Sequence, residues 1–147
     1  MSDAEDRQAL ADLVAEYARG CDRRRPEEVA SLYTDDGGFA IVDTGLEPME
    51  ISGHDRMVAG FSRLSRYEHT FHMLGQQTVD LDGDRATGEC YCLAHHVEVA
   101  DDGSRSVMIM HIRYQDRYAR TADGWKFEHR TLMVDWRETR PLVDPAP

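Results

Sequence analysis

Apolar residues recur every three to four positions in the first third of the chain and every second position in the last half. That change of period separates helices from strands. Leu10, Leu13, Val14 and Tyr17 form one helical stripe. Ser2 followed by Glu5 fits a capping box at its start, and Gly20 is the expected C′ residue at its end. Pro26 suits the first turn of a second helix that carries Val29, Ala30, Leu32 and Tyr33. The run Thr34 to Gly38 reads as a turn and Phe39 to Val42 as a short strand. Ser52 is the expected cap of a third helix, with Met57, Val58, Phe61 and Leu64 on its core side.

Beyond residue 65 the alternation is broken by Asp82-Gly83, Asp102-Gly103 and Asp123-Gly124, spaced about twenty residues apart. Asp-Gly readily takes the positive φ angles of a tight hairpin. The spacing predicts a meander of four long strands over Thr70–Leu81, Arg85–Val99, Arg105–Arg120 and Trp125–Arg137. Strands of that length twist and coil, so the sheet should curl into a half-barrel whose concave face is plugged by the helices. The order ααβα followed by four strands is an α+β domain. It is expected to occupy residues 1–140, with an irregular tail over 141–147 that contains Pro141, Pro145 and Pro147.

A length of 147 residues is enough for one core and too short for two. Seventeen basic residues against 28 acidic give a net charge of −11. Arg23-Arg24-Arg25 is an isolated triplet, so no basic stripe tracks phosphates, and neither nucleic acid nor an anionic membrane is an expected partner. Met1 to Gln8 is polar and acidic with no apolar signal region, and no apolar run reaches the ~18 residues of a membrane span. Cys21, Cys90 and Cys92 cannot all pair, and Cys90 and Cys92 share one strand face. Reduced core thiols in a cytoplasmic protein are the expectation.

Seven histidines call for a reason, and His69, His72, His95, His96 and His111 lie on or beside the long strands. His72 stands where the first long strand enters the mouth of the half-barrel, and Asp22 lies just past the first helix. Singly, Asp22 reads as a cap for the next helix and His72 as a rim histidine. Together they would make a site, because a carboxylate that accepts the proton of one ring nitrogen fixes the tautomer and raises the basicity of the other. Alternation puts His96 on one face with Ala94, Cys92 and Cys90, and His95 on the other with Leu93 and Tyr91. A bulge would exchange the two.

Several segments in order carry a resemblance: Tyr17-x-x-x-x-Asp22, Glu27 to Asp35, Thr70 to Gly75, Val79 to Asp84, Ala86 to Glu89 running on to His95-His96, Asp123 to Phe127, and Val134-Asp135-Trp136. From Leu10 to Glu138 the chain resembles the scytalone dehydratase and SnoaL-like group of the nuclear transport factor 2-like superfamily. The resemblance implies a cone in which N-terminal helices pack into a strongly curved, mainly antiparallel sheet. It also implies an Asp-His pair, as in scytalone dehydratase, bile acid dehydratase and lindane dehydrochlorinase, and Asp22 and His72 fall on those positions. His72 would be the general base and Asp22 its orienting partner. The proton donor would be His96, matching the second histidine of scytalone dehydratase, or Tyr17, matching a pocket tyrosine of the bile acid enzyme. The implied activity is a cofactor-independent lyase of the dehydratase type acting on a small cyclic or polycyclic substrate. Isomerisation or polyketide cyclisation by the same base, and non-catalytic binding of a small molecule, are the alternatives. Tyr33, Phe39 and Trp136 are expected to line the pocket. Where the dehydratases carry an arginine near the final aromatic residue, this chain has Val134-Asp135-Trp136, which leaves an anion clamp to Arg113 or Arg130 unless these are paired.

Metal binding is a rival, since His69, His72, His95, His96 and Glu98 are all potential ligands. Adjacent strand histidines point opposite ways, so no metal site is expected. A Ser-His-Asp hydrolase would need a Gly-x-Ser-x-Gly elbow, which is absent. The strand from Arg105 to Arg120 is apolar on both faces, with Met108, Met110 and Ile112 against Val107 and Ile109. One face would line the pocket and the other meet a second copy, which implies a homo-oligomer through the outer sheet face.

Overall fold

The computed structural model describes residues 2–143. Helix α1 (Asp3–Asp22) opens with the capping box, in which the Glu5 amide donates to Ser2 Oγ and the Glu5 carboxylate accepts from the Ser2 amide. It runs past the expected end, with the C′ position at Arg24 rather than Gly20. Gly20 lies inside the helix, where a Cβ would meet Val29 Cγ2 at 2.6 Å, so the glycine lets α1 and α2 (Pro26–Ser31) approach closely. Tyr33 is not helical; it opens strand β1 (Tyr33–Asp43), which absorbs the expected turn at Thr34–Gly38. A short strand β2 (Met49–Ser52), not anticipated, follows. Gly53 at φ 83°, rather than Ser52, is the N-cap of helix α3 (His54–Ser62), and Leu64 falls in a 3-10 turn over Arg63–Arg66.

The four long strands are β3 (His69–Asp82), β4 (Arg85–Val99), β5 (Arg105–Thr121) and β6 (Gly124–Leu142). Gly83, Gly103 and Gly124 have φ of 59°, 82° and 103°, as the three turns require. The tail is shorter than expected, because β6 carries Pro141 and Leu142; Pro145 and Pro147 lie outside the described residues. The six strands form one sheet in the order β2-β1-β6-β5-β4-β3, antiparallel except for the β1–β6 pair. Bulges between Leu74 and Gln77, His111 and Ile112, and Arg117 and Tyr118 bend it into the cone.

The helices fill the concave face. The core joins Leu10, Val14, Tyr17 and Val29 from the helices to Cys90, Ala94, Ile112, Tyr114, Phe127 and Leu132 of the sheet. Inside it Arg130, fully buried, forms a two-pronged ion pair with Asp116 at 2.7 Å on both oxygens. Its guanidinium carbon lies 4.0 to 4.4 Å from the ring centres of Tyr114, Phe127 and Tyr17. No helix among the described residues is long and apolar enough to cross a membrane.

Candidate active site

The register of β3, β4 and β5 decides which side chains face inward. Thr70 pairs with His96, His72 with Ala94 and Leu74 with Cys92, so all six share the concave face. The bulge in β3 falls beyond this stretch, and His95 stays outside beside Phe71 at 6.2 Å. Ala94, the partner of His72 across the strands, is fully buried.

Asp22 is the last residue of α1, where the negative end of the helix dipole disfavours a carboxylate. Three donors offset that. Asp22 Oδ1 accepts from His72 Nδ1 at 2.7 Å and from Thr70 Oγ1 at 3.0 Å, and Oδ2 accepts from the His72 amide at 2.9 Å. Burial raises the carboxyl's proton affinity, but the side-chain and backbone bonds from His72, with that of Thr70, outweigh it and hold the pKa below the usual value. Asp22 is therefore ionised at neutral pH, and the nitrogen facing it carries the proton. The His72 side chain is 6% exposed and that of Asp22 23%, so the pair sits at the inner rim rather than in solvent.

His96 completes the group. Its ring centre lies 5.9 Å from that of His72 and 4.6 Å from Tyr67, and its Nδ1 has no hydrogen-bond partner among the described residues. Burial, then the neighbouring His72, push its pKa down to about 4, so it is neutral at pH 7. Thr70 and Arg24 belong to the same group of side chains. Thr70 precedes His72 by two and shares its face, a signal readable from alternation; Arg24, which holds Thr70, left no such signal.

The remaining candidates lie elsewhere. Tyr17 stacks among Phe39, Phe61, Tyr114 and Phe127 with centroids 5.7 to 6.5 Å away, and burial drives its pKa well above the ordinary value. Tyr33 packs on Phe61 and Phe127. With Phe39 these residues form an aromatic floor to the cone. Trp136 is on the outer face, 58% exposed and stacked on His111 at 4.1 Å. Asp135 is the extra residue of the bulge that separates the Ile112–Val134 and His111–Trp136 pairs, and one inserted residue turns Trp136 to the opposite side. Arg113 and Arg130, considered as anion clamps, are paired with Asp135 and Asp116. His69 sits at the exposed rim beside Glu68, and no three metal-ligating side chains converge among the described residues. Two open clefts, of about 430 and 530 Å³, are lined by residues other than Asp22, His72 and His96; the larger lies on the outer face beside Trp136.

A model of the family described as a SnoaL-like domain matches residues 2–131. The uncharacterized protein Rv2910c of Mycobacterium tuberculosis is 26% identical over 131 residues, 88% of this chain and 86% of that protein. A provisionally assigned scytalone dehydratase from Novosphingobium aromaticivorans superposes with a TM-score of 0.81 at 20% identity, covering 92% of this chain and 87% of that one. The hexachlorocyclohexane dehydrochlorinase LinA-type3 from Novosphingobium barchaimii gives 0.72 at 18% identity, with 97% and 93% covered. At such identities the two structures speak to the shared cone alone.

Proposed function

The chain belongs to the SnoaL-like family, and from that premise we propose that it is a lyase that eliminates water from a small cyclic or polycyclic substrate. The observation that carries the proposal is the 2.7 Å bond between His72 Nδ1 and Asp22 Oδ1, with His96 on the same face. With Nδ1 protonated and held, Nε2 of His72 has its lone pair available. It takes a proton from a carbon acidified by an adjacent carbonyl or comparable group. The electron pair of that C–H bond forms the new double bond as the C–O bond breaks, and oxygen leaves with its electron pair.

The leaving oxygen needs a proton, and the charge states decide its source. His96, with its pKa near 4, is neutral at pH 7 and serves as a hydrogen-bond donor to oxygen rather than as a strong acid. Burial holds the Tyr17 proton tightly, and that hydroxyl lies in the aromatic floor. The imidazolium formed on His72 is the competent acid, and by handing its proton to the departing hydroxide it releases water and restores the neutral base. Isomerisation follows if the same proton returns to a different carbon, and cyclisation if the carbanion attacks within the substrate.

A second reading, a non-catalytic small-molecule-binding or accessory domain, is supported on its accessory side by the packed aromatic floor beneath the pair. Incubation with cyclic hydroxyketones and phenolic polyketides in D₂O, followed by mass spectrometry, separates the two. Loss of water or deuterium uptake by the wild type, reduced ~10²–10⁴-fold in folded His72→Ala, is expected for the enzyme. Undiminished turnover in that variant overturns the mechanism, and binding without exchange or turnover identifies the binder.

A further inference from the structure

Helix α1 closes in a Schellman motif: the Arg25 amide donates to the Gly20 carbonyl at 3.0 Å and the Arg24 amide to the Cys21 carbonyl at 3.3 Å. The residue this motif holds in the left-handed region is Arg24, at φ 57°, the one non-glycine with positive φ among the described residues. Glycine fits such a position without strain. The arginine side chain therefore supplies what the backbone does not require.

Its contacts say what that is. Arg24 Nη1 donates to Thr70 Oγ1 at 2.7 Å and to the Cys21 carbonyl at 3.0 Å, and Nη2 donates to the Tyr67 carbonyl at 3.3 Å. Among the described residues every one of these acceptors is neutral. The Thr70 hydroxyl, accepting from Arg24, donates to Asp22 Oδ1 at 3.0 Å, on the oxygen that also accepts from His72 Nδ1 at 2.7 Å.

We propose that Arg24 and Thr70 are positioning residues for the Asp22–His72 pair, fixing the carboxylate so that the proton of His72 stays on Nδ1 and Nε2 remains the base. A threonine hydroxyl is a rotor that can donate in several directions. With a guanidinium N–H occupying its acceptor side, its proton is aimed at Asp22. The carboxylate then has two donors on Oδ1 and one on Oδ2, which leaves a single orientation. The nearby cation also disfavours transfer of the His72 proton to Asp22. This inference rests on the Asp22–His72 assignment proposed above and adds two residues that touch no reacting atom.

The test is two-bond ¹H–¹⁵N NMR of the histidine rings in the labelled full chain, which reads the tautomer directly and needs no substrate. In the wild type, neutral His72 is expected as the Nδ1–H form alone. Thr70→Val and Arg24→Gly should each give a mixture with the Nε2–H form that an unconstrained histidine side chain favours, whereas Thr70→Ser should keep the wild-type spectrum. Arg24→Gly places the residue best suited to φ 57° at that position, so the helix end survives the loss of the side chain. With a turnover substrate, both deleterious variants should lose kcat, by up to about 10²-fold, with KM little changed. A pure Nδ1–H His72 in folded Arg24→Gly and Thr70→Val overturns the positioning role while leaving the pair intact. Absence of the Nδ1–H form from the wild type overturns the pair itself, and the positioning role with it.

Discussion

The Arg130–Asp116 pair gives the sharpest test of how the cone is held together. Both side chains are fully buried, with two bonds of 2.7 Å between them, and the Tyr118 hydroxyl adds a third donor to Asp116 at 2.8 Å. Burial works against the guanidinium charge, but Asp116 outweighs it and keeps Arg130 protonated. Arg130→Met leaves a methionine of similar reach among three aromatic rings and strands Asp116 with one neutral donor. Removing one partner of a buried pair costs about 3–5 kcal/mol, because the other charge is left uncompensated. Against a typical total of ~5–15 kcal/mol that is a large fraction. At roughly 2–4 °C per kcal/mol for a domain of this size, Tm should fall by about 6–20 °C.

The double variant Arg130→Met/Asp116→Val removes both charges, and a hydrophobic replacement of a buried pair is often neutral. It should recover most of the loss, giving a coupling of at least about 2 kcal/mol in a double-mutant cycle. Urea unfolding followed by far-UV circular dichroism and by tryptophan emission measures all four proteins, since Trp125 is buried and Trp136 exposed in the folded chain. Single-variant costs below about 1 kcal/mol, or additive costs, would refute the premise that the charges compensate each other.

Three further outcomes are expected. Asp6 is bonded by Arg120 at 2.8 Å through two nitrogens and by Trp125 Nε1 at 2.8 Å, which lowers its pKa from 3.8 to about 2. Its stabilising contribution is complete above pH 3.8 and is lost as pH falls towards 2, so Asp6→Asn should flatten the acid limb of the urea midpoint between those values; an unchanged limb refutes it. Burial pushes the thiols of Cys21 and Cys92 up to about 12 and that of Cys90 to about 11, so none should react with an aromatic disulfide reagent near pH 8 until the protein unfolds. Rapid labelling of the native chain would contradict this. On the outer face Phe71, Met73 and Trp136 are 55% to 59% exposed, and Met73→Glu or Trp136→Glu should lower the mass measured by light scattering if a second copy covers them. A wild type that is monomeric at high concentration would exclude such a contact.

The hairpins were legible because Asp-Gly states its backbone preference locally, and the inward face of β4 was legible because alternation holds wherever no bulge intervenes. The segment Thr34–Gly38 was not. Its glycines look like turn punctuation, yet a Cβ on Gly38 would meet His129 Cδ2 at 2.7 Å, so that glycine serves the close approach of β1 to β6. Trp136 was misplaced by the single inserted residue at Asp135, which alternation cannot foresee. Asp22 and His72, fifty positions apart in the chain, were paired only through the family resemblance. Their separate signals, a residue after a helix and a histidine at a strand start, are common.

The meeting of Asp22 with His72 follows from a problem every open sheet has. β3 is an edge strand, and an edge leaves amides and carbonyls without partners. Helix α1 and the residues just past its end run along that edge and close it with side chains: Asp22 accepts from the His72 amide, Arg24 donates to the Tyr67 carbonyl just before the strand, and Arg7 donates to the Val79 carbonyl at the far end. The carboxylate that seals the edge through Oδ2 is thus delivered to the same residue's imidazole through Oδ1, so edge protection and assembly of the pair share one side chain. Asp22→Ala would therefore open the edge and remove the partner at once, and loss of activity in it would not distinguish chemistry from folding. Asp22→Asn separates them. Its carbonyl oxygen can still accept from the His72 amide, while the charge that holds the proton on Nδ1 is gone. A folded Asp22→Asn with an intact β3 edge by amide exchange, and with the His72 tautomer released, is the combination that this shared geometry demands.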